Sequence, residues 1–222
     1  PVMAHAVEEV EEMASIASAL VLNIGTLSEK WIEAMFKAGK QAKEKGVPVI
    51  LDPVGAGATT LRTETAKKII DEVQPDIVRG NASEILALLK ADAQTKGVDS
   101  SASSDDALEI AKELASTKNC IVSISGKTDY ITDGKSVISI GNGDAMLSKV
   151  TGTGCAATAL TGAFAGVNKN FVEAATGAMV VMGIAGEMAR KNADAPGTFQ
   201  VKFLDALYQI SDEDIKTKAR IA

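Results

Sequence analysis

The amino-acid sequence predicts an α/β protein with a central, mostly parallel β-sheet flanked by helices on both faces. Two observations lead to this fold class. Short β-branched runs alternate with longer amphipathic segments along most of the 222 residues, a pattern typical of parallel strands joined by helical crossovers. The pair Asp133-Gly134 separates two further strand-like runs, and this dipeptide favours a two-residue hairpin. We therefore expect an antiparallel pair at one edge of the sheet.

The strands are predicted from their apolar, β-branched composition. Residues 19–25 (ALVLNIG) and 47–52 (VPVILD) are apolar enough to be buried on both faces of a sheet. The remaining predicted strands are 76–79, 120–125, 130–132 and 136–140.

The helices are predicted from amphipathic spacing and from residues that cap helices. Ser28 is a candidate N-cap for a helix over 28–44, and Asn81 for a helix that ends near Leu89. Further helices are predicted over 61–73 and 107–115, with a Gly-rich loop over 53–60 and a polar loop over 90–104. From Gly154 the chain is predicted to be almost entirely helical until a polar tail that begins at Ser211. The chain contains no internal repeat and no linker, which predicts a single domain over residues 1–222.

Composition excludes several functional classes. Lys and Arg number 23 against 29 Asp and Glu, a net charge of −6, which argues against binding a nucleic-acid backbone. Cys120 and Cys155 lie far apart without CxxC spacing, so neither a disulfide framework nor a zinc site is predicted, and a reducing cytoplasm is the expected compartment. The most apolar stretch, 174–189, is shorter than the ~20 residues of a spanning helix. We interpret it as a buried helix and expect no membrane partner.

The motif Thr151-Gly152-Thr153-Gly154-Cys155 directly precedes a helix rich in small residues. Glycines and hydroxyls at such a position form a turn whose backbone N–H groups converge on an anion, and the helix dipole reinforces that field. Phosphoryl transfer depends mainly on such positioning and charge stabilisation, so the loop is a candidate anion hole. An ordinary tight turn between a strand and a helix is the alternative.

Cys155 stands on the first turn of that helix, where N–H dipoles can lower the pKa of a thiol. It is a candidate catalytic residue that orients a substrate hydroxyl or accepts its proton. The alternative is a free Cys that packs as a small apolar residue. A Cys–His dyad is not expected, because His5 is the only histidine and nothing in the sequence brings it near Cys155.

Two acidic residues are candidate metal ligands. Asp52 ends the second predicted strand, and the carboxyl ends of parallel strands are where open α/β sheets bind ligands. Asp52 can hold Mg²⁺ beside a triphosphate, or it can stabilise the turn before Pro53. Glu84 follows Asn81 by three residues, so a capping box explains both residues. A role for Glu84 in binding a metal-bound water is the alternative that spacing does not exclude.

Two further residues are candidate nucleotide contacts. Arg79 precedes the helix that Asn81 caps and can pair with phosphate oxygens as a bidentate donor. Ser125 ends the fourth predicted strand in the segment Ser125-Gly126-Lys127-Thr128-Asp129, which is a weak signal by itself. Walker-A, GxGxxG and HExxH motifs are absent from the sequence.

Together these segments resemble the hydroxyethylthiazole kinase family over essentially the whole chain. The matching stretches are PVMAHAVEE at Pro1, DPVGAGAT at Asp52, RGNASE at Arg79, GNG and KVTGTGC between Gly141 and Cys155, and PGTFQVKFLDALY at Pro196. The resemblance implies a ribokinase-like, three-layer α/β/α fold. It also implies an enzyme that uses ATP and Mg²⁺ to phosphorylate the primary alcohol of 4-methyl-5-(2-hydroxyethyl)thiazole in thiamine biosynthesis and salvage.

The resemblance assigns roles to individual residues. It implies that Arg79 and Ser125 contact ATP, that Met3 and Gly152 contact the thiazole, and that Asp52 and Glu84 lie near the metal. The segment from Thr151 to Gly154 becomes the anion hole, with Cys155 facing the substrate hydroxyl. A homotrimer with pockets shared between subunits is also implied. Family members begin with about one further strand and helix, so we expect this chain to lack them.

Other ribokinase-like activities are the alternatives. A hydroxymethylpyrimidine kinase and an ATP-dependent hydrate dehydratase share the fold, but many such relatives carry Asp where Cys155 stands. A non-catalytic nucleotide-binding protein is the third possibility, and the retained DPVGAG, Arg79 and TGTGC segments argue against it.

Overall fold

A computed structural model describes residues 2–89 and 104–222, except for the side chain of Asp106. Its centre is a six-stranded sheet in which the strands follow one another in chain order. The first four strands run parallel, and the last two are antiparallel to their neighbours. The predicted fold class and the hairpin at the sheet edge are therefore confirmed. The strands are β1 Leu20–Asn23, β2 Val49–Asp52, β3 Ile77–Asn81, β4 Ile121–Ser125, β5 Asp129–Thr132 and β6 Val137–Ile140.

Helices cover both faces of this sheet. Those before β4 are α1 Val10–Ile16, α2 Glu29–Glu44, α3 Thr60–Glu72, α4 Ala82–Leu89 and α5 Ser104–Lys118. Those after β6 are α6 Thr153–Val167, α7 Phe171–Arg190, α8 Pro196–Gln209 and α9 Asp212–Lys218, preceded by a 3₁₀ helix at Ala145–Lys149. The predicted cap of α2 is confirmed, because the Ser28 hydroxyl accepts a hydrogen bond from the Trp31 N–H at 3.3 Å.

The sheet divides the core into two layers because successive side chains of a strand point to opposite faces. In β2, Val49 and Leu51 pack into one apolar cluster with helices α1 to α5. Ile50 packs into the other cluster with α6, α7 and α8. Asp52, two residues after Ile50, faces the same side as Ile50. The alternation thus directs the carboxylate at the end of β2 toward α6.

The end of the chain differs from the prediction. The helical stretch was predicted to end at a polar tail that begins at Ser211, whereas this tail forms a further helix, α9, which begins with a capping box between Ser211 and Asp214. Ile221 then forms an antiparallel bridge with Ile140 of β6. The tail is ordered because its end pairs with the exposed edge of the sheet. The loop predicted over 90–104 lies outside the described residues except for Ser104, which begins α5.

Helix α7 is the apolar segment predicted to be buried. It has 20 residues, so by length and composition alone it passes the test for a membrane span. However, 67% of its most apolar window is buried inside the fold. The prediction of a buried helix is confirmed, although the helix is longer than the apolar stretch from which it was predicted.

Candidate active site

The polar residues of the candidate site converge where the parallel strands end. Asn23 and Asp52 are the last residues of β1 and β2 and are direct partners in the parallel register. Asn81 and Ser125 are likewise paired at the ends of β3 and β4. The first turn of α6 approaches this edge of the sheet, which is the usual position of ligand sites in open α/β folds.

Asp52 is at the centre of the arrangement, with only 3% of its surface exposed. Its Oδ2 accepts hydrogen bonds from Asn23 Nδ2 at 2.8 Å and from Thr158 Oγ1 at 2.9 Å. Burial raises the pKa of Asp52, and the positive charge of Arg79 together with these hydrogen bonds opposes that shift. The carboxylate is therefore buried but well supplied with groups that stabilise its charge.

Cys155 lies beside Asp52 on the first turn of α6. Its Sγ accepts a hydrogen bond from Asn23 Nδ2 at 3.2 Å, and the residue as a whole is exposed. Its sulfur nevertheless lies against polar side chains, and partial burial raises the pKa of the thiol, with the Asp52 and Glu84 carboxylates adding to the rise. The thiol pKa is therefore raised rather than lowered, because burial first and then the two carboxylates oppose the field of the helix N-terminus.

His5 does not approach this cysteine. Its ring stacks on Trp31 of α2, with centroids 4.8 Å apart, and α2 packs on the face of the sheet opposite to α6. Within the subunit, the ring contact of His5 is therefore with α2 and not with Cys155.

The loop before α6 has the conformation that the Gly-rich motif predicts. Gly152 adopts a φ of +92° as the N-cap of α6, a left-handed conformation that favours glycine. Within the described ranges, a Cβ at Gly152 would meet nothing within 4 Å, so this side of the loop faces open space. The Thr153 hydroxyl lies 2.8 Å from the Leu147 carbonyl and 3.0 Å from the Val150 carbonyl, and it shares its single proton between these two acceptors. Thr153 thus fixes the loop to the segment that precedes it in the chain.

Arg79 points into the fold rather than toward solvent. It is 5% exposed, and its Nη1 donates to the Gly154 carbonyl at 3.1 Å and to Thr158 Oγ1 at 3.3 Å. Within the described residues its Nε is buried without a hydrogen-bond partner. The guanidinium therefore lies on the buried side of the loop, where it hydrogen-bonds Gly154 and its positive charge stabilises the Asp52 carboxylate.

Glu84 caps the start of α4 and also holds the loop that follows β2. Its Oε2 accepts the Asn81 N–H at 2.8 Å while the Asn81 side chain accepts the Glu84 N–H at 2.9 Å, so the predicted capping box is confirmed. Its Oε1 accepts the Gly55 N–H at 2.8 Å, which ties down the loop after β2. Burial raises the pKa of Glu84, backbone hydrogen bonds oppose that rise, and repulsion from Asp52 adds to it. Among the described residues, His, Cys, Asp and Glu side chains do not form any group of three that could hold a metal ion.

The remaining predicted residues lie at the periphery. The Ser125 hydroxyl donates weakly to the Gly80 carbonyl at 3.4 Å. Met3 is 98% exposed, so the single subunit does not bury it beside Gly152. Their roles toward ligands stay predictions.

Three site residues were not identified from the sequence. Asn23 had a detectable signal, because it ends a predicted parallel strand as Asp52 does. Thr158 had none, because a threonine inside a helix of small residues carries no positional signature. Arg62 joins the loops after β1 and β2 by donating to the carbonyls of Val54 at 2.7 Å and Gly25 at 2.8 Å, a connection that only the fold reveals.

The architecture defines a protein of the ribokinase-like fold class. The chain shares this fold with the pyridoxal kinase from Staphylococcus aureus in complex with pyridoxal, at a TM-score of 0.58 and 21% identity over 85% of this chain and 67% of that one. A model of the hydroxyethylthiazole kinase family matches residues 1–213, and the chain belongs to this family.

Individual relatives agree with that assignment. Hydroxyethylthiazole kinase from Leptospira biflexa is 56% identical over 218 residues, which cover 98% of this chain and 82% of the relative. The structure of a hydroxyethylthiazole kinase from Pyrococcus horikoshii superimposes with a TM-score of 0.91 at 42% identity, covering 100% of this chain and 83% of that chain.

Proposed function

We propose that the site formed by Asn23, Asp52, Cys155 and the loop before α6 catalyses the family reaction. The protein is a kinase that transfers a phosphoryl group from ATP to the primary alcohol of 4-methyl-5-(2-hydroxyethyl)thiazole. The observation that carries the proposal is the contact of the Cys155 thiol and the Asp52 carboxylate with the same Asn23 amide group. This contact supports the proposal because it joins the proposed group for the alcohol to the proposed group for the metal.

The loop from Thr151 to Gly154 is the proposed anion hole. Its support is the left-handed turn at Gly152, the open space beside it and the start of α6 immediately after it. Backbone N–H groups at a helix N-terminus stabilise the charge of a phosphoryl group in transfer. Arg79 reinforces the loop by holding the Gly154 carbonyl.

Asp52 and Glu84 suit Mg²⁺ as a pair of buried carboxylates. Their mutual repulsion contributes to the raised pKa of Glu84, and a divalent cation near both relieves that repulsion. Mg²⁺ typically takes one or two carboxylates, several waters and the substrate phosphates, so a cage of three protein ligands is not required. When bound, the ion neutralises charge on the triphosphate.

Cys155 positions the substrate hydroxyl. Because its pKa is raised, the thiol keeps its proton at neutral pH, and its sulfur acts through hydrogen bonds rather than as a thiolate. Asn23 fixes the sulfur from one side, which restricts the directions from which a hydroxyl can approach.

ATP contacts are proposed for Arg79 and Ser125, and thiazole contacts for Met3 and Gly152. The burial of Arg79 implies that its contribution to ATP is mainly its positive charge beneath the loop. The exposure of Met3 supports a pocket completed by another subunit, and we propose a homotrimer with three shared pockets.

The two free cysteines support a cytoplasmic location, where thiols stay reduced.

Product analysis by phosphorus NMR tests the function. Incubation with Mg²⁺ and ATP is expected to convert the thiazole alcohol to its phosphate ester, with hydroxymethylpyrimidine as the competing substrate. Phosphorylation of the pyrimidine alcohol alone would contradict the proposal. Omitting Mg²⁺ in the presence of EDTA is expected to abolish turnover.

A further inference from the structure

Thr158 is buried in the second turn of α6, with 0% of its surface exposed. It therefore contacts no substrate. Its Oγ1 lies 2.9 Å from Asp52 Oδ2, 3.2 Å from the Gly154 carbonyl and 3.3 Å from Arg79 Nη1. One hydroxyl thus joins three separate elements: the end of β2, the strand β3 that carries Arg79, and the first turn of α6.

The direction of these hydrogen bonds follows from their chemistry. A guanidinium only donates, so Thr158 accepts from Arg79 and retains a single proton to give. Two acceptors compete for that proton, the Asp52 carboxylate and the Gly154 carbonyl. The carboxylate is charged and nearer, and the Gly154 carbonyl already accepts from Arg79 at 3.1 Å. The chain of donors therefore runs from Arg79 through Thr158 to Asp52.

We infer that Thr158 is a positioning residue that aligns Asp52 with the first turn of α6 by linking the carboxylate to Arg79. The inference rests on the proposed function, because it concerns the alignment of the proposed metal carboxylate with the anion hole and Cys155. Asp52 and Cys155 belong to different elements, and productive geometry demands that such groups be held to within about 0.5 Å. Cys155 of α6 also hydrogen-bonds Asp52, but the Thr158 hydroxyl is the contact that links the carboxylate to Arg79 as well.

Thr161 shows what an ordinary buried threonine does on the same helix. It too is 0% exposed, but its hydroxyl donates to the Ala157 carbonyl at 2.9 Å, four residues earlier. Such a bond is internal to the helix. Thr161→Val is therefore a matched control for removing a buried hydroxyl from α6 without touching the site.

Steady-state kinetics of three variants test the inference. Thr158→Val replaces the hydroxyl with a methyl group of similar size and is expected to lower kcat about 10- to 100-fold, as loss of a group that supports a metal ligand does. The KM for ATP is expected to change less than about threefold, because Arg79 keeps its hydrogen bond to the Gly154 carbonyl. Thr158→Ser keeps the hydroxyl and Thr161→Val keeps the site, so both are expected to retain kcat within about threefold.

Two outcomes would overturn the inference: a Thr158→Val enzyme with kcat near that of the wild type, or a Thr158→Ser enzyme that loses as much as Thr158→Val. If the valine variant does not fold, Thr158→Ala is judged by the same criteria. Crystal structures provide a readout independent of activity, since Asp52 is expected to change orientation in Thr158→Val and not in Thr158→Ser. An unmoved Asp52 in the valine variant would contradict the inference, whereas a wild type inactive on the thiazole alcohol would contradict only the proposed function.

Discussion

Asn23 donates from one amide nitrogen to both Asp52 Oδ2 at 2.8 Å and Cys155 Sγ at 3.2 Å. The orientation of the amide is fixed, because its Oδ1 accepts the Gly25 N–H at 2.8 Å. The sulfur and the carboxylate therefore share a donor that cannot turn away without losing the turn at Gly25. This relationship joins the first strand of the sheet to α6 and underlies the first prediction.

Asn23→Asp is expected to lower kcat by at least about tenfold. The variant keeps the acceptor for Gly25 but replaces the donor with an oxygen that repels Asp52. Asn168→Asp is the matched control, since Asn168 accepts from the Asn170 N–H at 2.8 Å and donates to Glu173 at 3.1 Å on the exposed surface. Equal kinetics in the two variants would remove Asn23 from the mechanism.

Cys155→Ala is expected to lower kcat roughly a hundredfold through loss of alignment of the alcohol, while ATP affinity changes little. Cys155→Asp is expected to remain active, because a carboxylate oxygen also presents a hydrogen-bond acceptor to the alcohol. Cys120→Ala controls for the loss of a cysteine, since Cys120 is buried and burial raises its pKa to about 12. Full activity of the Cys155→Ala enzyme would show that the thiol only packs.

Gly152→Ala is expected to reduce kcat by more than its effect on folding explains. The φ of +92° makes alanine strained there, by about 1–3 kcal/mol, and the new methyl group projects into the space proposed for substrate. Gly197→Ala is the control, because a Cβ at Gly197 also meets nothing within 4 Å among the residues that the structure describes, and Gly197 lies in the first turn of α8. Comparison of kcat and melting temperature separates the effect on catalysis from the effect on folding. An unchanged kcat in folded Gly152→Ala would exclude the loop from the mechanism.

Asp129→Asn is expected to stabilise the protein at neutral pH. Burial raises the pKa of Asp129 from 3.8 to about 6, so the folded state holds its proton more tightly than the unfolded state does. Folding stability is therefore lost as the pH rises from about 4 to 6, by roughly 3 kcal/mol. Urea unfolding of wild type and variant at pH 4 and pH 7.5 measures this loss of folding stability.

The expected gain in Asp129→Asn is present at the higher pH and small at the lower one. Asp133→Asn is the control, and its effect on folding stability is expected to change with pH in the opposite direction. The reason is that backbone hydrogen bonds from Ser136 and Lys135 lower the pKa of Asp133. A stability difference for Asp129→Asn that does not depend on pH would contradict the assignment.

The proposed trimer predicts that activity depends on protein concentration. Light scattering is expected to give three times the subunit mass, and dilution below the dissociation constant is expected to abolish thiazole binding while part of the ATP binding remains. Met3→Asp is expected to weaken thiazole binding without unfolding the subunit, since Met3 is almost fully exposed. A monomer that is fully active at high dilution would exclude shared pockets.

The sequence was sufficient for features that depend on neighbours a few residues apart. Ser28 and the Asn81–Glu84 capping box were predictable because a cap connects groups three residues apart. The alternation of β-branched runs and amphipathic segments identified the parallel strands, and a carboxylate after a strand located Asp52 at their carboxyl edge. The family resemblance was equally readable from short motifs such as DPVGAG and KVTGTGC.

Only the tertiary structure decided how these pieces act on one another. It turned Arg79 inward to Gly154, brought Asn23 to Cys155 across 132 residues, and raised the thiol pKa that the helix N-terminus alone predicts to be low. Contacts of this kind depend on strand register and on the rotation of α6 over the sheet, neither of which is encoded in the local spacing of residues. A pKa depends in turn on the burial and charges that those contacts create.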